Sequence, residues 1–192
     1  DADWRRADRG LLDAVRRAFP RQPLWANFTY DPLTAASWGE YLPAVDGVMV
    51  EDFALGWRRS PLAAAERLQQ WQRVLAAHAE GKSLLLVAQG GRDDCARLQF
   101  TFALASTLVD GRGAAVYYRY NDAFTDDYRQ IWWQPEYEAP RPAPRAAART
   151  AQGRVRRDYA QGDLQLDLAT GGYRLPPRWQ QAWPQCSSGV RG

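Results

Sequence analysis

Apolar positions along the chain alternate between two periods. Over the first twenty residues Trp4, Leu11, Leu12, Val15 and Phe19 fall at roughly 3.6-residue spacing with Arg and Asp on the other side, which predicts a helix ending before Pro20. "PLWANFTYD" (23–31) predicts a short strand broken at Asp31-Pro32, and a short helical segment around 35–42 leads to Pro43. "VDGVMVE" (45–51) predicts a second strand, and residues 61–79 a helix with Pro61 in its first turn and Gly81 past its end. "SLLLVAQ" (83–89) is a continuous apolar run, as a strand covered on both faces requires. A helix follows within "GGRDDCARLQFTFALASTLVDG", capped by Asp93 or Asp94 and closed by Gly111, and "AAVYYRY" (114–120) is a fourth strand. Four strands alternating with helices predict an α/β fold with a parallel sheet and right-handed crossovers.

The pattern stops after residue 121. "WWQPEYEAPRPAPRAAART" has no periodicity and reads as a loop or linker. "GRVRRDYAQGDLQLDLATG" reads as an antiparallel hairpin turning at Gln161-Gly162, and residues 171–192 as a poorly ordered tail. The expected organisation is therefore an α/β portion over 1–140, a linker and β-hairpin over 141–170, and a flexible tail over 171–192.

Composition narrows the chemistry. With 192 residues, 46% of them apolar and 24% charged, the chain has room for one sizeable domain with a real core. Nine Trp and nine Tyr are rich for one small domain; most of them are expected in the core, and any left exposed would suit flat apolar ligands such as sugar faces. Residues 141–192 carry nine Arg against three Asp, a net +6, so residues 1–140 carry −3. The total of +3, with Lys82 the only lysine, gives no case for nucleic acid, and a polyanion contact through the Arg-rich stretch 141–157 is the weaker reading. The single histidine, His78, excludes His-rich zinc sites and a Ser-His-Asp triad, and reads as a surface residue near a helix end. Cys95 and Cys186 fit no metal-ligand spacing, and whether they pair stays open. No metal or cofactor is expected. No apolar run is long enough to span a membrane and no signal peptide is read, so a soluble chain or the mature form of an exported one is expected.

In parallel α/β folds ligands bind at the carboxyl ends of the strands. The first predicted strand ends in Asn27 and leads to Tyr30 and Asp31; the second ends in Glu51 and Asp52, the third in Gln89, the fourth in Tyr118, Arg119, Tyr120, Asn121 and Asp122. The amino ends offer only Asp46 and Lys82. Carboxylates with amides and aromatics, without His, Cys or a phosphate-binding Gly loop, suit glycosidic bond chemistry, in which one acid protonates the leaving oxygen and a second carboxylate serves as base or nucleophile. Strand alternation prevents Glu51 and Asp52 from acting together. Glu51 shares the parity of Met49 and is the candidate catalytic residue; Asp52 would cap or orient. Asp1 and Asp3 are the candidates for the partner carboxylate, with helix N-capping as their competing role.

"WANFTYD", "DGVMVEDF", "GW" and the terminal "WWQPEYEAP…GRVRRDYAQGDLQLDLATG" together resemble the later half of a hypothetical glycosyl hydrolase-like family of (β/α)₈ type, related to the endo-α-1,4-polygalactosaminidases. The resemblance covers residues 1–170. It implies the later half of a TIM-type barrel followed by the small hairpin, and a glycoside hydrolase acting on a polysaccharide. Asn27 matches the family's strand-end Asn, Glu51 its acid after "DGV", and Asp1 or Asp3 lies near its earlier acid. Substrate contacts would fall to Asn27, Tyr30, Asp52, Gln89, Tyr118, Arg119 and Asn121. The implied partner is a carbohydrate, with no nucleic acid; another chain or domain would complete the barrel; a periplasmic or extracellular location is favoured. The competing reading is a non-catalytic carbohydrate-binding or scaffold protein with a degenerate cleft.

Overall fold

A computed structural model describes residues 2–28, 38–57, 60–111, 113–121, 132–138 and 142–183. Asp1, Tyr30, Asp31, Asp122 and Cys186 lie outside them.

Four strands form a parallel sheet: β1 (Trp25–Asn27), β2 (Gly47–Val50), β5 (Ser83–Gln89) and β6 (Val116–Asn121), in the order β1-β2-β5-β6. A two-stranded ribbon, β3 (Gly56–Trp57) with β4 (Ser60–Pro61), follows β2. The helices are α1 (Ala2–Ala18), α2 (Ala64–Ala79), α3 (Cys95–Ser106) and a short α4 (Pro177–Ala182). Each expected strand and long helix of residues 1–121 is present within a few residues of its predicted ends. Of the segment expected around 35–42, residues 38–41 are helical and a 3₁₀ turn, Leu42–Ala44, leads into β2. Asp94, rather than Asp93, caps α3 by accepting from the Arg97 backbone N–H at 3.1 Å. The result is a mixed α/β fold with an open parallel sheet; among the described residues it does not close into a barrel.

A second, antiparallel sheet is larger than the expected hairpin. It orders β10 (Tyr173–Arg174), β9 (Gly162–Asp167), β8 (Arg154–Tyr159) and β7 (Arg149–Ala151). Helix α3 lies between the two sheets, and every residue from Leu98 to Ser106 is buried. That explains its largely apolar sequence, because a helix covered on all sides needs no polar face, and the buried Gln99, Thr101 and Ser106 are each hydrogen-bonded. The antiparallel sheet also closes the carboxyl end of α3: Tyr159 Oη donates to Ser106 O at 3.1 Å and Arg157 Nη1 to Thr107 O. Arg67 of α2 donates to Leu168 O at 2.9 Å, and one apolar core runs from Val48 and Leu84 through Phe102 to Leu164 and Leu166.

The tail reading does not hold for residues 173–183. Pro177 sits in the first turn of α4, and Trp179 and Trp183, one turn apart, bury 5.5 Å from each other against Tyr159 and Phe102. Gly and Pro suggested disorder there; two buried indoles outweigh them. The expected loop at 132–138 holds a 3₁₀ turn, Pro135–Glu138.

Candidate functional site

Strand register divides the parallel sheet into two faces. The row Ala26, Val48, Leu84 and Val116, continued by Val50, Leu86 and Tyr118, faces the helices. The alternate positions, Trp25, Asn27, Met49, Leu85, Tyr117 and Arg119, lie on the other face and are half-buried or exposed. Trp25 is 38% and Tyr117 56% exposed, yet they sit on opposite edge strands with ring centroids 6.3 Å apart. Four flat strands would hold those edges ~14 Å apart, at about 4.8 Å per strand gap. The aromatics therefore lean toward each other across this face of the sheet. Gly47 permits this: a Cβ there would meet the Trp25 ring at 2.5 Å.

Glu51 and Asp52 separate as strand alternation requires. Glu51 is the first residue past β2, half-buried, and makes no hydrogen bond or ion pair with the described residues. Asp52 is 1% exposed and turned toward α2, where its Oδ1 accepts from Gln70 Nε2 at 3.2 Å. Gln70 Oε1 accepts in turn from the Ala54 backbone N–H at 2.7 Å. Ala54 has φ +66°, a left-handed conformation costly for any residue with a Cβ, so the Gln70 clamp holds a strained turn directly behind Glu51. The Phe53 N–H also donates to Val87 O at 3.0 Å, fixing this turn against β5.

The other sequence candidates divide between the faces. Asn27, exposed at the end of β1, pairs in register with Met49. Gln89 and Asn121 end β5 and β6 side by side, and Arg119 pairs with Val87 one row earlier. Asn121 Oδ1 is buried and accepts no hydrogen bond from the described residues. Carried two residues beyond Met49, the register puts Glu51 level with Val87 and Arg119, at a strand separation of about 10 Å from Arg119. Tyr118 stands elsewhere: it faces the helices, its hydroxyl 2.6 Å from Thr101 Oγ1, and burial pushes its pKa well above the usual phenol value. Asp3 is solvent-exposed on α1 and ion-paired with Arg6 at 2.8 Å. Asp1 and Tyr30 lie outside the described residues.

Two features were not anticipated. Glu136, inside the apparently irregular "WWQPEYE", is 1% exposed and accepts from Gln99 Nε2 at 2.8 Å, while Tyr173 Oη donates to Gln99 Oε1 at 2.7 Å. Nothing in the local pattern marks this buried carboxylate, since its partners come from α3 and β10. Beside it, burial pushes Tyr137 up to about 12, with the Glu136 charge acting in the same direction. His78 is the second: it is 6% exposed rather than on the surface, with Nε2 3.4 Å from Asp110 Oδ1. Cys95, in the first turn of α3, is disulfide-bonded. Among the described residues no three His, Cys, Asp or Glu side chains cluster as metal ligands, and no helix is long and apolar enough to cross a membrane.

No curated protein matches the chain. A family model does: residues 1–163 match hypothetical glycosyl hydrolase family 15, a span that takes in the parallel sheet with its strand-tip residues and ends just inside β9, past β7 and β8. The chain therefore belongs to hypothetical glycosyl hydrolase family 15.

Proposed function

We propose that this protein is a glycoside hydrolase acting on a polysaccharide, with Glu51 as the catalytic acid or base. The observation that carries the reading is the contrast at the β2 tip: Asp52 is locked against Gln70, whereas Glu51 has no partner among the described residues and shares the register of the face away from the helices. Family membership supports glycosyl hydrolase chemistry at a coarse level. Asn27, Gln89, Arg119 and Asn121 would hold sugar hydroxyls around Glu51, and the exposed Trp25–Tyr117 pair, two to four residues nearer the amino ends of the strands on the same face, would stack on a further sugar ring. Asp52 acts by orienting the turn, and Tyr118 by packing the wall behind the site.

On this reading the four parallel strands are part of a (β/α)₈ barrel, whose remaining strands would pair with β1 and β6, the edge strands among the described residues. Asp1 or Asp3 supplies the partner carboxylate. A separation from Glu51 of roughly 5 Å would make the reaction retaining, and roughly 6.5–9.5 Å inverting. The bonded Cys95 favours an oxidising, extracytoplasmic location.

The second reading, a non-catalytic carbohydrate binder, draws on the exposed aromatic pair alone. Reducing-end release from a panel of amino-sugar and neutral polysaccharides, measured alongside binding to the same panel, separates the two. The hydrolase reading predicts release from at least one polymer; binding without release from any of them would sink it in favour of the binder.

A further inference from the structure

A cavity of about 230 Å³ opens at the end of the molecule opposite the strand tips. The carboxyl end of α2, the turn after α3, residues 144–148 and Arg157 enclose it. Its walls are apolar at Leu75 and Leu108 and charged at Arg145, Arg157 and Asp110.

Arg157 occupies an inward position of β8 between Val155 and Tyr159, both buried, where an aliphatic residue would be expected. It is 4% exposed. Nη1 closes the end of α3 by donating to Thr107 O, but Nε is buried and makes no hydrogen bond with the described residues. A guanidinium so placed loses its hydration and recovers only part of it. Capping one carbonyl needs one donor, which a lysine or a tyrosine would provide, as Tyr159 does for Ser106. The remaining fork suits an oxyanion, which accepts parallel N–H bonds.

Arg145 lines the same cavity from the rim. Its backbone is fixed there by donation to Asp158 O at 2.8 Å, while its side chain is exposed. Among the described lining residues Asp110 is the one carboxylate, and it faces His78 Nε2 at 3.4 Å. The described lining therefore sets two guanidiniums against one carboxylate. Asp110 offers acceptor oxygens for hydroxyl groups. The volume is below the roughly 300–1,000 Å³ of pockets for drug-sized ligands, so the occupant is smaller than those.

We propose that this cavity binds a small hydroxylated acid, a sugar acid or a sugar phosphate, with its anionic group on Arg157 and Arg145 and its hydroxyls toward Asp110. The site is separate from the strand-tip edge, and the proposal stands whether or not Glu51 is catalytic.

His78 is the only histidine in the chain, so its ring gives one set of proton resonances that reports on this cavity. The protein is titrated at fixed pH and ionic strength with inorganic phosphate, with D-glucuronate, and with D-glucose as the neutral control. The proposal predicts a saturable shift of the His78 resonances with at least one of the two anions and none with glucose. The anion that binds more tightly identifies phosphate or carboxylate as the recognised group. Arg145→Ala, at an exposed position that leaves the fold intact, should weaken the response several-fold. Arg157→Lys keeps a donor for Thr107 O but loses the fork, and should weaken it by roughly tenfold or more, the size of one charge-assisted hydrogen bond. Resonances that neither anion moves, or titrations that both substitutions leave unchanged, would overturn the proposal.

Discussion

Replacing Gln70 by Leu tests how the turn behind Glu51 is held. The side chain is 1% exposed and joins α2 to two points of the 52–54 turn. Leucine keeps most of the volume and removes both hydrogen bonds. The Ala54 N–H, in a fully buried residue, then lacks its acceptor, at about 1–3 kcal/mol. Loss of the bond to the Asp52 carboxylate adds about 1.5–3 kcal/mol. Because the two share one side chain, they add incompletely, and about 3–5 kcal/mol is expected, a large part of the roughly 5–15 kcal/mol of a typical domain. Urea unfolding followed by circular dichroism measures it, with Gln72→Leu on the exposed side of the same helix as the control, expected within about 0.5 kcal/mol of the parent. A loss below about 1 kcal/mol in Gln70→Leu would refute the claim that this clamp holds the strained turn.

Gly47→Ala forces the Trp25 indole off the sheet, so Trp fluorescence should shift and affinity for soluble oligosaccharides should fall several-fold; an unchanged spectrum would contradict the packing of Trp25 over Gly47. At high pH the sign follows from Tyr137: its folded value of about 12 lies above the usual 10.0, so its contribution is intact below pH 10 and is lost between 10 and 12. That amounts to about 2–3 kcal/mol, and Tyr118 and Tyr173, whose pKa values burial also raises, act in the same direction. Ultraviolet titration should show these tyrosines ionising together with alkaline unfolding, and ionisation of all nine near pH 10 with the fold intact would contradict it. At low pH Asp46 is the marker, its pKa held below 3.8 chiefly by the hydrogen bond from Arg16 and then by that from the Leu24 N–H. Its contribution is present above pH 3.8 and lost as pH falls through the lower folded value. The carboxylate is half-exposed, so no more than about 1 kcal/mol is expected. Asp46→Asn should be less stable than the parent at pH 7 and converge with it as pH falls below 3.8; parallel curves throughout would show that the pairing does not act on stability.

The elements that were legible in the sequence are those whose signals are local. An unbroken apolar run marked β5, an acidic cap and a closing glycine bounded α3, and alternation alone separated Glu51 from Asp52. Three features needed partners distant in sequence. Tyr118 reads as a tip residue from its neighbour Arg119, but Leu86 beside it in the sheet and Thr101 across from it assign it to the helix layer. Glu136 becomes a buried carboxylate only when Gln99 meets it across 37 residues. Residues 173–183 look like a tail by composition, and order comes from Trp179 and Trp183 packing on Tyr159 and Phe102. In each case the deciding contact is tertiary, and no window along the chain contains it.

The account stands most directly on Glu51. Reducing-end release by the protein, Glu51→Gln and Asp52→Asn, measured on whichever polysaccharide the parent cleaves and alongside binding to it, isolates that residue. The account predicts a roughly 10²–10⁴-fold loss of hydrolysis in Glu51→Gln with binding retained, the size of a general acid or base contribution. It also predicts a smaller loss in Asp52→Asn, accompanied by reduced stability. Glu51→Gln hydrolysing at the parent rate would contradict it.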